Sequence, residues 1–574
     1  MMTTHDEADD SVSSGWLNRR TLLRGIAATG ATTALGALLA ACGSGGSATT
    51  APKPAGGTSG TTAPAATTGS GAASAVSGTT ATQAPSAGVP KKGGTIKAEI
   101  NSDVANLEPM PSSLLVDRQV LYNLYDSLVA IDKDLKIIPS LAESWQTPDP
   151  KTYIFKLRQG VKYHDGTDFN ADSVKWNIER YLTDKNSRRK SEIDSIQTVE
   201  VMDPSTVKFS LKAPFAPLLA SLVDRAGMMV SQKAAEAGGQ DFSRKPIGGG
   251  TGAFKFVEWV KDDHITMERN PTYWKKDASG AQLPYVDKVI YRPIVDSTVA
   301  LTNLKTGDSD ISHYVASKDY ASVKAGKELV LQDTPGLNNS SVYLNTAAEP
   351  FNKKELRQAF AEALDRDQIL KTVFFGVGQV GYGPISPPTW AYDPSFKPYG
   401  GNAAKAKEYL KAGGKPDGFT CEMKITAGSP ETAQLAQLMK DQLAKAGITM
   451  NLVQIDFPTL NADQQAGKFQ ATLSGWSGRI DPDGNTYSFL HTGGSFNDEK
   501  YSNPQVDDLL DKARAATEQA QRKDLYQQMQ KLAIEEAPLV YYAFGLAVML
   551  TRPNVQGMQL YADQIMRFES GWLK

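Results

Sequence analysis

The composition changes abruptly near residue 90, and this change constrains the fold more than any other feature of the 574-residue chain. Gly, Ala, Ser, Thr and Pro make up nearly all of residues 43–90, which hold no aromatic residue and a single charge, Lys53. Such a segment cannot bury enough apolar surface to offset the entropy lost on ordering. We therefore expect residues 42–91 to form a disordered linker and the folded body to begin near residue 92.

Residues 1–41 have the pattern of an export segment. NRRTLL at 18–23, with Arg19 and Arg20, resembles a twin-arginine translocation signal, and a 17-residue run of mildly apolar residues follows. LAAC at 39–42 resembles a bacterial lipobox, in which a lipid on Cys42 would tether the mature protein to the cell membrane. The alternative is a single membrane-spanning helix, but Ala, Gly and Thr fill most of the run and gain little from burial in hydrocarbon. We expect a lipoprotein signal peptide and an extracytoplasmic protein.

Charge, cysteine and histidine content exclude several classes of function. The formal net charge of -2 provides no basic field for nucleic acid. If Cys42 carries lipid, the second cysteine, Cys421, has no disulfide partner in the chain. Four of the five histidines lie beyond the export segment, and no two of them have the spacing of metal ligands. We expect no metal site and no cofactor.

Strands and helices alternate along the body. Short β-rich runs bounded by turn residues predict strands at Thr95–Ile100, Tyr153–Leu157, Val207–Leu211, Phe254–Trp259 and Ile265–Arg269. Apolar periodicity and capping residues predict helices at Ala171–Leu182 after Asn170, at Ala403–Ala412, at Glu431–Ala446 and at Gln521–Glu536. This mixture indicates an α/β protein.

Two segments predict how the second half of the body is connected. A strand at Cys421–Thr426, the helix Glu431–Ala446 ended by Gly447, and a strand at Thr449–Gln454 predict a crossover unit with parallel strands. Leu539–Leu550 is apolar and interrupted by Gly545, which fits two strands or one bent strand that passes between two regions.

Several motifs in a fixed order carry a resemblance to a known family. They are LKIIPSLAESW at 135–145, YIFKLRQGVKYHDGTDF at 153–169, ERNPTYW at 268–274, LRQAFAEALDRDQI at 356–369 and YSNPQVDDLL at 501–510. Together they resemble the peptide/nickel class of extracytoplasmic solute-binding proteins, which serve ATP-binding-cassette (ABC) importers. The resemblance extends over nearly all of residues 91–574.

This resemblance implies a two-lobed periplasmic-binding-protein-like α/β fold of the class II, cluster C type, with the ligand cleft at the hinge. Lobe I would comprise residues 92–325 and 545–574, and lobe II residues 326–544. It implies a monomer without enzymatic activity that closes on a small-molecule or peptide ligand. Its partners would be the permease and ATPase subunits of an importer.

The resemblance places ligand contacts in SGWSGRIDPDGNTYSFLH at 474–491. Relatives that carry dipeptides have an aspartate here for the peptide's amino terminus, whereas this chain has Arg479 after Trp476. The arginine that holds the peptide carboxylate in those relatives has no counterpart in AGSP at 427–430. We therefore expect Trp476 and Arg479 to contact a ligand that is not a free dipeptide and has an anionic, hydroxylated or blocked end.

Other candidate contacts are less specific. Asp481 and Asp483 could face a cationic or hydroxylated ligand, although Asp-Pro-Asp-Gly is also an ordinary turn. Tyr122, Tyr125 and Trp390 lie, with Tyr392, in segments that reach the cleft in relatives. The spacing of Tyr122 and Tyr125 beside leucines also fits the core face of a helix, and we expect one of the two to be buried there.

Two alternatives to transport remain open from the sequence. A secreted hydrolase could use Ser477, Asp481 or Asp483, but Arg479 replaces the second glycine of a nucleophile elbow and no histidine partner is assignable. A binding protein of the same fold could instead act as a co-receptor that reports its ligand to a membrane sensor. The motifs do not separate transport from sensing.

Overall fold

The computed structural model describes residues 88–574, and the predicted export segment, Arg19, Arg20, Cys42 and nearly all of the predicted linker lie outside these residues. The described strands, in chain order, are β1 (Thr95–Ile100), β2 (Val129–Ile131), β3 (Ile137–Pro139), β4 (Ala142–Asp149), β5 (Thr152–Leu157), β6 (Ile196–Asp203), β7 (Thr206–Leu211), β8 (Phe254–Val260), β9 (His264–Arg269), β10 (Lys288–Pro293), β11 (Ile311–Ser312), β12 (Val330–Pro335), β13 (Asn339–Leu344), β14 (Gln379–Val380), β15 (Phe419–Thr426), β16 (Ile448–Ile455), β17 (Ala471–Trp476), β18 (Leu539–Phe544), β19 (Leu546–Thr551), β20 (Val555–Gln556) and β21 (Trp572–Leu573).

The α-helices in the same part of the chain are α1 (Leu115–Leu124), α2 (Ala171–Thr183), α3 (Lys190–Ile193), α4 (Leu218–Ser221), α5 (Gln232–Gly238), α6 (Ser297–Thr306), α7 (Ser317–Ala325), α8 (Lys354–Ala363), α9 (Arg366–Thr372), α10 (Ala403–Ala412), α11 (Pro430–Ala446), α12 (Phe457–Gln465), α13 (Asp483–Leu490), α14 (Pro504–Ala515) and α15 (Gln519–Glu535). No helix among the described residues combines the length and apolar character that crossing a membrane requires.

Local sequence features form these elements as predicted. Asn170 caps α2 by accepting a hydrogen bond from the backbone amide of Ser173, and the Ser173 hydroxyl completes the capping box. Gly447 ends α11 in the left-handed conformation (φ 97°), which glycine adopts without steric cost. The predicted crossover unit is confirmed because β15 and β16 pair in parallel around α11.

Three large sheets organise the described residues, each with its own hydrophobic core. A seven-stranded sheet has the order β12-β19-β11-β1-β10-β9-β8, a four-stranded sheet has the order β4-β5-β7-β6, and a six-stranded sheet has the order β14-β18-β13-β17-β15-β16. Separate cores pack on the seven-stranded, four-stranded and six-stranded sheets. We refer below to the residues around the first two sheets as lobe I and to those around the six-stranded sheet as lobe II.

The chain passes between the lobes twice, at neighbouring points. β12 belongs to the seven-stranded sheet and β13 to the six-stranded sheet, and the chain returns from β18 to β19. The two connections touch each other: the amide of Gly336 donates to the Gly545 carbonyl (3.0 Å), and the amide of Gly545 donates to Asn338 Oδ1 (2.7 Å). These paired short connections form a hinge between the lobes.

The structure corrects one predicted boundary. The prediction assigned residues 326–544 to lobe II, but β12 pairs along its whole length with β19 of the seven-stranded sheet. The first connection therefore lies at residues 336–338 rather than at 325/326. Sequence periodicity could not show this, because β12 and β13 are both short strands and only their pairing partners assign them to different sheets.

Candidate ligand site at the lobe junction

Trp476 and Arg479 are brought together at the end of β17 by one buried amide. Asn485 of α13 accepts hydrogen bonds at Oδ1 from Trp476 Nε1 (3.0 Å) and from the Arg479 backbone amide (2.7 Å). Its Nδ2 donates to the Arg479 carbonyl (2.9 Å). The Arg479 guanidinium then lies 4.3 Å from the centre of the Trp476 ring, a cation–π contact. Asn485 thus fixes the Trp476 ring and the Arg479 backbone relative to each other.

Gly478 lets this loop pass directly against the hinge. Its φ is +79°, and a Cβ atom there would lie 2.1 Å from the Leu337 carbonyl oxygen of the first connection. A side chain would collide with the hinge backbone, so this position requires glycine. The loop that carries Arg479 is thereby packed on the segment about which the lobes would turn.

Arg479 reaches across to lobe I. Its Nε lies 3.0 Å from Oδ2 of Asp224, which follows α4, and Arg118 Nε of α1 lies 3.2 Å from the same oxygen. Arg118 Nη1 also donates to the Ser477 hydroxyl of lobe II (3.3 Å). Asp224 and Arg118 are both buried. The Asp224 carboxylate of lobe I therefore forms an ion pair with one arginine from each lobe.

Two further buried arginines surround Asp224. Arg225 Nε lies 3.6 Å from Asp224 Oδ1, and Arg189 Nη1 donates to Glu192 (2.7 Å). We call Arg118, Arg189, Arg225 and Arg479 the junction arginines. Burial alone would raise the pKa of Asp224, but the four junction arginines hold it well below its ordinary value. Burial and neighbouring arginines lower the pKa of Arg225 to about 10.

A cavity of about 30 Å³ lies at this junction. Its lining residues come from both lobes and are Glu192, Pro217, Ala220, Ser221, Asp224, Trp476, Arg479, Asp481, Asp483, Gly484, Ser488, Phe496 and Arg514. Pockets for organic ligands are typically several hundred Å³ in volume. In this conformation the cavity has room for little more than water, so an organic solute requires the lobes to stand further apart.

The two predicted aspartates, Asp481 and Asp483, border the cavity, but each is paired with an arginine of lobe II. Asp481 accepts two hydrogen bonds from Arg522 (2.8 and 2.7 Å), and Asp483 accepts two from Arg514 (2.7 and 3.0 Å). Such bidentate pairs use the acceptor positions that a cationic ligand would need. Their geometry therefore gives the aspartates a role in holding α13 against α14 and α15.

The predicted aromatic contacts fall in three different places. Tyr125 is buried in the core of the seven-stranded sheet, with its hydroxyl donating to the Leu107 carbonyl (3.0 Å). Tyr122 lies beside the junction, with the Arg118 guanidinium 5.7 Å from its ring centre. Trp390 packs in lobe II, with the Arg522 guanidinium 5.1 Å from its ring centre. Of these three residues, only Tyr122 contacts a junction arginine.

The hydroxyl of Ser477 has no base beside it. Its described contacts are Nη1 of Arg118 (3.3 Å) and Nη1 of Arg479 (3.4 Å), which are cations and cannot accept its proton. Residues 88–574 also contain no group of three or more His, Cys, Asp or Glu side chains placed to hold a metal ion. The lining of the described cavity combines two arginines, two aromatic side chains and four carboxylates.

Sequence reasoning missed the lobe I half of this site. Arg118 lies on the same face of α1 as Leu121 and Tyr122, and a charge among core positions of an amphipathic helix was the available signal. Asp224 and Arg225 follow the short helix α4 and have no motif of their own. Only the folded chain brings them to Arg479.

The chain belongs to the bacterial extracellular solute-binding proteins, family 5. The model of this family, described as "family 5 Middle", matches residues 136–497, which span more than half of the chain and include β3 to α13. The two-lobed fold with a junction between the lobes, expected from the sequence motifs, is confirmed.

Individual relatives extend this similarity over most of the chain. The glutathione-binding protein GsiB of Pectobacterium atrosepticum is 29% identical over 482 residues, which cover 82% of this chain and 92% of that protein. The oligopeptide-binding protein AppA of Bacillus subtilis, solved with a nonapeptide, is 25% identical with a TM-score of 0.78, covering 85% of this chain and 100% of that one. AgaA of A. tumefaciens R10, solved with agropinic acid, is 29% identical with a TM-score of 0.76, covering 84% and 99%.

Proposed function

We propose that this protein is the solute-binding component of an ABC importer, which captures a peptide-like or other small organic solute between its lobes and delivers it unaltered to a permease. The observation that carries the proposal is the junction itself, where Arg479 of lobe II and Arg118 of lobe I meet at Asp224. A binding site shared by two lobes couples occupancy to lobe closure. The names of the relatives, which include glutathione-binding and oligopeptide-binding proteins, favour a peptide-like solute.

Lobe closure would signal to the permease that a solute is bound. The hinge at Gly336 and Gly545 gives the lobes two short connections about which to turn. A solute shifts the equilibrium towards the closed form only by the difference between its affinities for the two forms. Contacts such as Arg479 to Asp224 exist only when the lobes are together, so a permease could distinguish the closed protein from the open one.

Release of bound solute from natively purified protein tests this proposal. We expect mass spectrometry of the denatured full-length protein to identify a stoichiometric peptide-like compound. We also expect small-angle scattering to show a smaller radius of gyration after that compound is added back to stripped protein. Chemical conversion of the compound during incubation, or scattering curves that do not change on saturation, would contradict the proposal.

We further propose that the protein is an extracytoplasmic, membrane-anchored lipoprotein that acts as a monomer. The support for the anchor is the LAAC sequence ending at Cys42 and the twin-arginine pattern at Arg19 and Arg20. Cys42→Ser should move the protein from the membrane fraction to the soluble fraction of intact cells. Cys421→Ser is the matched control, because this second cysteine is buried on β15. An unchanged membrane fraction for Cys42→Ser would argue against the anchor.

A further inference from the structure

The carboxylates that border the cavity are paired with arginines to different extents. Asp481 and Asp483 each hold one arginine of lobe II through two hydrogen bonds. Glu192 accepts from Arg189 (2.7 Å). Asp224 is the remaining carboxylate of the lining, and it faces Arg118, Arg479 and Arg225 at 3.2, 3.0 and 3.6 Å. Four junction arginines therefore share two carboxylates.

Several guanidinium nitrogens of this group are buried without a hydrogen-bond acceptor. They are Nε of Arg118, Nη2 of Arg479, Nε and Nη2 of Arg225, and Nε of Arg189. Asp224 Oδ2, which forms ion pairs with Arg118 and Arg479, likewise accepts no hydrogen bond. Buried donors without acceptors are rare because each forfeits its hydrogen bonds to water. Among these four arginines, Arg479 borders the cavity, so it is the one that a solute between the lobes would meet first.

Other carboxylates near the group form their hydrogen bonds elsewhere. Asp117 accepts hydrogen bonds from the amides of Ala105 and Asn106 and from the Ser112 hydroxyl, and Ser112 in turn accepts from Arg225. Asp563 is held by Arg567 of its own segment through two hydrogen bonds (3.0 and 2.6 Å). Asp117 attracts Arg225 and Asp563 attracts Arg118, but neither carboxylate accepts a hydrogen bond from a junction arginine.

An arginine cannot relieve a surplus of positive charge by losing its proton. Burial lowers the pKa of Arg479 to about 10, with Arg118 and Arg225 adding to the effect and Asp224 opposing it. At this pKa the group is still charged at neutral pH. An anion between the lobes would add to the balancing charge of the nearby carboxylates, and the lobe junction is where one could arrive and leave.

We infer that the imported solute carries a carboxylate or an equivalent anionic group, and that Arg479 is the specificity-determining residue that receives it at the lobe junction. The inference rests on the proposed function and names its substrate class. The flat guanidinium, stacked on Trp476 and held by a hydrogen bond from its Nη1 to the Gly478 carbonyl (2.7 Å), is suited to a planar carboxylate. An ammonium group at the same place would be repelled, so solutes that present only a cationic end are excluded.

Competition between matched peptides tests the inference on the full-length protein. The probe is an equimolar mixture of tripeptides and tetrapeptides, all with a blocked amino terminus. Each peptide is present in two forms, one with a free C-terminal carboxylate and one with a C-terminal amide. Native mass spectrometry then counts which members the protein retains. We expect at least about tenfold enrichment of the carboxylate forms, the loss that removal of one charge-assisted hydrogen bond typically produces. Equal retention of both forms would overturn the inference while leaving the proposed function intact.

Substitutions then assign the preference to Arg479. Arg479→Gln should bind carboxylate forms about tenfold more weakly and amides as before, so the preference disappears. Arg188→Gln is the matched control, because Arg188 also bonds across the lobe junction, to Gln465 (2.7 Å), but lies outside the cavity lining.

A second variant covers the case in which Arg479→Gln does not fold, as judged by circular dichroism. Arg479→Lys retains the charge without the planar guanidinium and should lose part of the preference for carboxylate forms. A folded variant that keeps the full preference would overturn the assignment, and retention of no peptide by the unaltered protein would contradict the proposed function as well.

Discussion

The arginines around the cavity fall into two groups that differ in how their charge is balanced. In lobe II, Arg514 and Arg522 each hold one aspartate through two hydrogen bonds. At the junction, four arginines share Asp224 and Glu192. The Arg522–Asp481 pair is complete within lobe II, whereas Arg514 also lies 3.9 Å from Asp194 of lobe I. The junction group, by contrast, joins both lobes, because Arg479 of lobe II pairs with Asp224 of lobe I.

Buried acids elsewhere show why the sign of an unmatched charge matters. Glu499 of lobe II is fully buried with both carboxylate oxygens lacking a hydrogen-bond partner, and burial raises its pKa well above the ordinary value. Such an acid becomes neutral by binding a proton. A buried arginine does not become neutral in this way, because it keeps its proton at physiological pH. An unmatched buried acid can thus lose its charge by protonation, whereas an unmatched buried arginine stays charged.

The largest expected effect is the loss of a complete pair. Asp481→Asn leaves the Arg522 guanidinium buried without its counter-charge, and breaking a buried pair in this way typically costs about 4 kcal/mol of unfolding free energy. Urea denaturation followed by circular dichroism measures this loss. Asp508→Asn is the control, because Asp508 pairs with Lys512 on the exposed face of α14 and should contribute less than about 0.5 kcal/mol. A change below about 1 kcal/mol for Asp481→Asn would remove the distinction between the two groups.

The second prediction concerns an unmatched acid in lobe I. Glu99 on β1 is buried with one oxygen lacking a partner, and burial raises its pKa from 4.5 to about 7 against the opposing effects of Ser309, Asn303 and Arg292. Because the folded state binds a proton that the unfolded state releases, the unfolding free energy falls as pH rises from 4.5 to about 7. The expected loss is on the order of 3 kcal/mol.

The Glu99→Gln variant isolates the contribution of Glu99 to the pH dependence of the unfolding free energy. Unfolding free energies of the variant and the unaltered protein, measured between pH 4.5 and 8, should diverge in favour of the variant as pH rises. Buried His313, which contacts the Glu99 carbonyl, titrates in both proteins and cancels in the difference. Glu268→Gln, at an exposed position on β9, is the control for removal of a carboxylate that is not buried. Parallel curves for Glu99→Gln and the unaltered protein would show that the acid is not neutral in the fold.

The sequence predicted the parts of this molecule that are encoded locally. The cap of α2 by Asn170, the end of α11 at Gly447 and the β15–α11–β16 crossover follow from neighbouring residues, and the structure confirms them. Trp476 and Arg479 could be singled out together because three positions separate them in the chain. Their contact with each other follows from Asn485, which lies only a few residues beyond.

The rest depends on contacts between distant parts of the chain. Asp224 and Arg479 are far apart in sequence, and no periodicity predicts that they meet. Tyr125 has the chemistry of a ligand contact, but the orientation of α1 places it in the core. The aspartates at 481 and 483 have the same chemistry whether free or paired, and their partners come from α14 and α15. The sequence therefore identifies candidate ligand contacts. Only the packing of the folded chain shows which charged candidates are already paired within the protein.

A smaller effect is expected for the removal of an arginine from the junction group. Arg225→Met should change the unfolding free energy by less than about 1 kcal/mol, because its charge is repelled by Arg189 and Arg118 and its donors are largely unused. The matched substitution is Arg522→Met, which leaves Asp481 buried and should cost about 4 kcal/mol. Thermal and urea unfolding of both variants gives the comparison. A loss above about 3 kcal/mol for Arg225→Met would mean that the junction charges are as fully balanced as those of lobe II.

The smallest effect is expected where an arginine joins the lobes but shares no surplus charge. Arg188 Nη2 donates to Gln465 Oε1 at 2.7 Å, and this neutral acceptor lies at a partly exposed edge of the junction. A single hydrogen bond of this kind contributes little net free energy, since water replaces it when the lobes part. Arg188→Gln should change the unfolding free energy by less than about 0.5 kcal/mol and the solute affinity by less than about twofold. Calorimetric titration of the solute released from native protein measures the affinity. A tenfold loss would mean that every arginine bridging the lobes contributes to binding, whatever its charge balance.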